Sequence, residues 1–157
     1  MKKGVTLVEL LMVIALSTLL VVAGIPVYSQ FQTRAQLDES GAQLISVLRQ
    51  ARQEAVAGVN DASHGIFIDR DPAGDDVYIF YQGDSYALRD PAYDRTYIFE
   101  PVLEVTTAGF ALTGGDVDIV FTKGLGDAQN TGTVIITHAI QGTFSVSVNA
   151  FGAIESL

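Results

Sequence analysis

Hydrophobic and polar positions follow three successive rhythms along this chain. From Leu10 to Val27 only Ser17, Thr18 and Gly24 interrupt apolar side chains, and Glu9 is the one charge between Gly4 and Val27. About 20 apolar residues of helix suffice to cross the hydrocarbon core of a bilayer, so this run predicts a membrane span. A secretory signal peptide would have a shorter apolar core and a small-x-small cleavage site behind it, and Ile25, Pro26, Val27 and Tyr28 match that poorly. The second rhythm is helical and amphipathic. Leu37, Leu44, Leu48, Ala51 and Ala55 recur on one face with Gly41 in the remaining place, while Gln36, Glu39, Gln43, Arg49, Gln50 and Gln53 lie largely off it. Pro26 lacks the N–H that a helix interior uses, which predicts a kink beside Gly24 and Ile25. Gly58, Asn60 and Asp61 supply a stop. The expectation is one long kinked N-terminal helix of about 50 residues, ~75 Å at 1.5 Å per residue, transmembrane in its first half.

From residue 62 the period falls to 2. Strands are predicted over 65–69, 76–82, 85–88, 96–99, 102–105, 117–121, 133–138 and 143–148, punctuated by Gly124, Gly126, Gly132 and Gly142 as in an antiparallel meander. The fold class expected is α+β, with the long helix packed on one or two small antiparallel sheets. The domains expected are a leader over 1–4, an apolar helix over 5–27, its amphipathic continuation over 28–60 and an antiparallel β domain over 61–157.

Composition narrows the chemistry. The 157 residues leave room for one anchor and one ordinary domain, and without cysteine there is neither a disulfide nor thiol chemistry. The formal charge is −9, and after residue 60 only Arg70, Arg89, Arg95 and Lys123 face fourteen acidic residues. Such a domain repels phosphate backbones, so nucleic acid is not an expected partner. Lys2 and Lys3 before the apolar run place the remainder on the far side of the inner membrane, in a single-pass arrangement.

Lys2, Lys3 and Gly4, then Val5, Thr6, Leu7, Val8 and Glu9 ahead of the apolar run, resemble the leader of type IV pilins and type II secretion pseudopilins. The resemblance implies cleavage after Gly4 by prepilin peptidase, methylation of the new N-terminus at Val5, and a glutamate, Glu9, at the fifth mature position that serves assembly. Pro26 and Tyr28 also fall where many members carry these residues, whereas Val5 stands where the family usually has Phe. Farther on, Phe121 to Gly124, Gly132 to Ile136 and Val146 to Ile154 resemble the C-terminal pattern of the GspH/FimT minor pseudopilins, with Ala153 in place of the usual arginine. What this implies is a structural minor subunit of a secretion pseudopilus or type IV pilus-like filament, partnered by other subunits and the peptidase. A FimT-like role in DNA uptake is the alternative within the family, and the missing arginine counts against it. The absence of cysteine fits a pseudopilin or minor pilin better than a major pilin with a C-terminal disulfide.

Chemical sites are sparse. No nucleophile motif is visible, Gly124 and Gly126 are not followed by a phosphate loop's Lys-Ser/Thr, and no catalytic residue is expected. His64 and His138 read as surface or half-buried strand-edge histidines. Asp69, Asp71, Asp75 and Asp76 cluster around Gly74 in the manner of a calcium loop, but Phe80 stands where the bidentate glutamate would follow. Calcium at these four aspartates, in a membrane-anchored binding or enzymatic module, is the reading from a different class; a solvated hairpin turn is the simpler one.

Overall fold

The computed structural model describes Gly4, residues 6–70 and residues 74–157, with the side chains of 22–30 left aside. The chain divides into two compact units, Met1–Ala35 and Gln36–Leu157. Helix α1 is assigned over Leu7–Ala57 and so contributes to both. Thr6 opens it: the Leu10 N–H donates to the Thr6 carbonyl at 3.1 Å, and the Glu9 N–H donates to Thr6 Oγ1 at 3.3 Å. A threonine oxygen accepting from the third helical residue is an N-cap, which satisfies a donor the helix itself cannot.

The second unit takes the helical stripe from 36 to 57 and, among the described residues, nine strands. A five-stranded antiparallel sheet has the order β3-β2-β1-β6-β5, built from β1 His64–Asp69, β2 Val77–Gln82, β3 Arg95–Ile98, β5 Leu112–Thr113 and β6 Asp116–Phe121. A four-stranded antiparallel sheet has the order β4-β7-β8-β9, from Leu103–Ala108, Gly132–His138, Gly142–Val148 and Ile154–Ser156. Register follows the alternation of side chains: Ile66 pairs with Phe80 and Ile119, and Val134 with Val146, so that apolar residues line up across neighbouring strands. Leu37, Leu44, Leu48, Ala51 and Ala55 from the helix meet Ile66, Ile68, Val117 and Ile119 from one sheet and Val105, Val134, Ile136 and Val146 from the other in a single core.

Gly41 shows why the helical stripe has a gap. A Cβ at this position would lie 2.3 Å from the Phe144 ring, so only glycine lets β8 approach the helix here. At its end the helix is released by Gly58, at φ 62°, whose N–H donates to the Ala55 carbonyl.

Several expectations are corrected. The long kinked helix with a transmembrane first half, packed on the sheets, is not the architecture found. Only the portion from Gln36 onward belongs with the β-structure, and among the described residues no helix is long and apolar enough to cross a membrane. The inner-membrane, single-pass localisation falls with that helix, because it rested on it. The mixed α+β character remains. Residues 85–88 form no strand: Tyr86–Leu88 is a 3₁₀ turn, and the aromatic signal there reflects Tyr86 stacking on Phe67 with ring centres 3.8 Å apart. The meander is also replaced, since β6 crosses back to pair with β1 and places β4 in the other sheet. Strands β5 and β9, of two and three residues, are too short to carry a readable alternation.

Candidate functional site

The largest unpartnered feature of the described surface is the first stretch of α1. Leu7, Val8, Leu10, Leu11, Met12, Val13, Ile14, Leu16, Leu19, Leu20 and Val21 are each between 55 and 73% exposed. These positions circle the helix rather than forming a stripe, a pattern that belongs to helices enclosed on all sides. The two hydroxyls among them do not break the apolar surface. Ser17 Oγ donates to the Val13 carbonyl at 2.7 Å and Thr18 Oγ1 to the Ile14 carbonyl at 2.8 Å, so both are satisfied within their own helix.

Glu9 stands at the start of this surface, exposed, three residues after the capping Thr6. A carboxylate in the first turn also interacts favourably with the positive end of the helix. Thr6 and Glu9 together have the spacing of a capping box, a signal present in the sequence and obscured there by the reading of the same residues as a cleavage motif. Gly4 is exposed, with open space around its Cα. Val5 lies outside the described residues, and the Pro26 and Tyr28 side chains lie outside the described side chains.

The acidic loop is drawn partly into the fold. Asp76 Oδ2 accepts the Val105 N–H at 3.1 Å and the Asp76 carbonyl accepts the Phe99 N–H at 3.0 Å, so this residue ties β4 to the start of β2. Burial raises the Asp76 pKa, opposed by the Val105 hydrogen bond and Arg70. Asp75 and Asp76 line an open pocket of about 590 Å³ together with Arg70, Glu100, Leu103 and Glu104. Asp69 ends β1. Asp71 lies outside the described residues. Among the described residues, no group of three or more His, Cys, Asp or Glu is arranged to hold a metal ion.

The two histidines differ from a pair of surface residues. His64 is 1% exposed, with Nε2 3.5 Å from Glu54 Oε2, and its Nδ1 makes no hydrogen bond within normal geometric limits. Its pKa lies below 6.5 because burial disfavours the charged ring; Glu54 and the Ala62 carbonyl oppose this and Arg95 adds to it. His138 Nδ1 accepts the Ile140 and Gln141 N–H groups, each at 3.2 Å, and so closes the β7–β8 turn. Each histidine has a structural task.

A basic notch went unread in the sequence. Arg52 Nε donates to the Gly126 carbonyl at 3.3 Å and its Nη2 to the Phe151 carbonyl at 3.2 Å, while Arg49 Nη2 donates to the Ile154 carbonyl at 3.4 Å. Gly152, at φ 68°, fits beneath them: a Cβ there would lie 2.0 Å from the Gly126 carbonyl oxygen. The notch encloses about 270 Å³ and also includes Ala153. The signal available was the i, i+3 spacing of two arginines beside the buried stripe, which puts both on one side of the helix. Comparison with protein-family models, with curated proteins and with solved structures finds no match to this chain.

Proposed function

We propose that this chain is a non-enzymatic structural subunit of a filament akin to the type II secretion pseudopilus or the type IV pilus. Its apolar helical stretch would pack against the same stretch of neighbouring subunits. The observation that carries the reading is the surface from Leu7 to Val21, apolar around the helix and left exposed among the described residues. Burying a large apolar side chain contributes about 1.5–3 kcal/mol, whereas association costs about 4–15 kcal/mol in lost freedom of motion. Covering most of the eleven side chains is of the size needed to offset the cost of assembly. The minor-subunit assignment comes from the resemblance to the GspH/FimT group.

Two further elements of the proposal concern the N-terminus. Cleavage after Gly4 by prepilin peptidase would create an amine on residue 5, near the only carboxylate of this surface. In a filament the Glu9 carboxylate would meet the amine of a neighbour, pairing charges that an apolar core leaves costly when alone, and so selecting register. Intact-mass measurement in a host that processes its other prepilins tests the cleavage; a chain that keeps Met1 through Gly4 refutes it. Because the chain has no cysteine, Ile14→Cys gives a clean probe of packing. Disulfide-linked dimers between subunits in assembled filaments are expected, and their absence at normal protein levels removes the filament reading. Glu9→Val should leave cleavage intact and lower incorporation into filaments.

A further inference from the structure

Phe151 is 77% exposed and sits on a turn held by Arg52. The same guanidinium also binds the Gly126 carbonyl, and Arg49 holds the Ile154 carbonyl three residues on. Neither Arg49 nor Arg52 has a carboxylate partner among the described residues; their hydrogen bonds go to backbone carbonyls. An exposed aromatic flanked by two uncompensated arginines has the composition of an interface centre. On the same unit, the pocket of about 590 Å³ provides the complement. It is lined by Pro101 and the edges of the largely buried Leu103 and Val105, by Arg70, Asp75 and Asp76, and by the exposed Glu100 and Glu104, neither of which has a basic partner among the described residues.

We infer that Phe151 and the Arg49–Arg52 notch of one subunit dock into the Pro101–Leu103 pocket of a second copy, with Glu100 and Glu104 meeting the arginines. The inference deepens the filament reading and rests on it. Charge selects this occupant. A strongly acidic chain repels its own copies in most orientations, and a contact that brings the arginines to the carboxylates turns that repulsion into local attraction. The volume of the pocket accommodates a phenyl side chain. Knob and socket are different patches, so the contact is heterologous, and a heterologous contact that does not close into a ring propagates as a filament.

The test uses full-length chains carrying single cysteines. Chains with Ala153→Cys, beside the knob, are mixed with chains carrying Val102→Cys, beside the socket, and oxidised under conditions of assembly. A 153–102 disulfide is expected, in clear excess over 153–153 and 102–102 products. Arg49→Glu in the first chain should lower its yield by about tenfold, the size of one lost charge contact of about 1.4 kcal/mol. Glu104→Arg in the second chain should restore it. Circular dichroism of each variant establishes that the fold is retained; Arg49 is the better target because Arg52 also holds two turns. Absence of the 153–102 product overturns the inference, as does an Arg49→Glu yield equal to the parent's. An Arg49-dependent cross-link to some other acidic protein, without the 153–102 product, overturns it as well. Ile14→Cys chains run in parallel separate the two readings: if they cross-link while the 153–102 pair does not, the filament assembles by its helices and the knob-and-socket contact is wrong.

Discussion

Between Gln36 and Ala57 the helix buries one side, with Leu44, Leu48, Ala51 and Ala55 fully enclosed, and turns Asp38, Glu39, Gln43, Arg49 and Gln53 to solvent. Between Leu7 and Val21 every large apolar side chain is more than half exposed, and no polar side balances them. The two stretches differ less in apolar content than in how it is arranged. A stripe can be satisfied by two small sheets, because one face is all that needs covering. An apolar surface that runs around a helix cannot be satisfied by any single sheet, and must be enclosed by several neighbours. One helix thus carries two patterns, and the fold satisfies only the second of them.

The largest effect expected sharpens this contrast by making the same change in both stretches. Leu48→Ala removes a fully enclosed side chain and leaves a cavity, and should destabilise the second unit by about 2–5 kcal/mol. Leu11→Ala, in the exposed stretch, should leave the same urea midpoint within about 0.5 kcal/mol. Equal losses at the two positions would show that the first stretch is enclosed within its own chain and would break the comparison.

Gly41 gives the next effect. In an exposed helix Gly→Ala is stabilising by roughly 1 kcal/mol. Here the added methyl would overlap the Phe144 ring, and overpacking costs about 1–3 kcal/mol. Gly41→Ala should therefore lower the unfolding midpoint, and Phe144→Leu made alongside it should recover part of the loss. A gain in stability from Gly41→Ala alone would mean that β8 does not approach the helix so closely.

What could be read from the sequence was the local rhythm. The stripe from Leu37 to Ala55, with the gap at Gly41, and the period-2 runs of β1, β2, β6, β7 and β8 follow from which side chains repeat. What could not be read was how those pieces combine. The crossing of β6 back to β1 depends on pairings between distant residues such as Ile66 and Ile119, which no local spacing records. The apolar run predicted a membrane span from its length and hydrophobicity, whereas among the described residues no helix is long and apolar enough to cross a membrane. His64 read as a surface or half-buried strand-edge residue, yet it is buried, and Glu54, ten residues earlier, comes from the helix to meet it. The arginine notch was missed for the same reason: Gly126, Phe151 and Ile154 reach Arg49 and Arg52 only through the tertiary fold.

Glu54 and Glu9 extend the comparison to charge, since the first has a buried histidine beside it and the second, among the described residues, has its own helix end. The His64 pKa is lowered in the fold, so the unfolded chain, titrating near 6.5, binds more protons at mildly acidic pH. Stability then rises with pH across this window. It is fully present above 6.5 and is lost progressively as pH falls through the depressed folded value. Asp76, whose pKa is raised above 3.8, contributes with the opposite sign at lower pH, its share being lost as pH rises through its folded value. Urea midpoints measured from pH 7.5 downward should decline below 6.5, and the difference between the parent chain and His64→Gln should carry that decline. An unchanged difference across the window would mean that His64 titrates alike in both states.

The smallest effect lies at Thr6, where the exposed stretch begins. Its Oγ1 accepts the Glu9 N–H and its carbonyl starts the helical ladder, so Thr6→Ala removes one acceptor but not the backbone bond to Leu10. Loss of such a cap costs about 1 kcal/mol. That cost falls on the first turn, whose residues bury nothing in their own chain, and so should not reach the unfolding midpoint of the second unit. Amide exchange is the suitable measurement. Residues 9 and 10 should exchange about fivefold faster in Thr6→Ala, while Leu44 and Leu48 keep their protection. Thr6→Ser retains the oxygen and should exchange as the parent does. Glu9→Gln removes the charge but keeps the N–H, and should speed exchange less, in line with the about 0.3–1 kcal/mol of a carboxylate near a helix start. If Thr6→Ala leaves residues 9 and 10 unchanged, the first turn is held by something other than its cap. If it also lowers the midpoint of the second unit, the two stretches unfold together and the division between them fails.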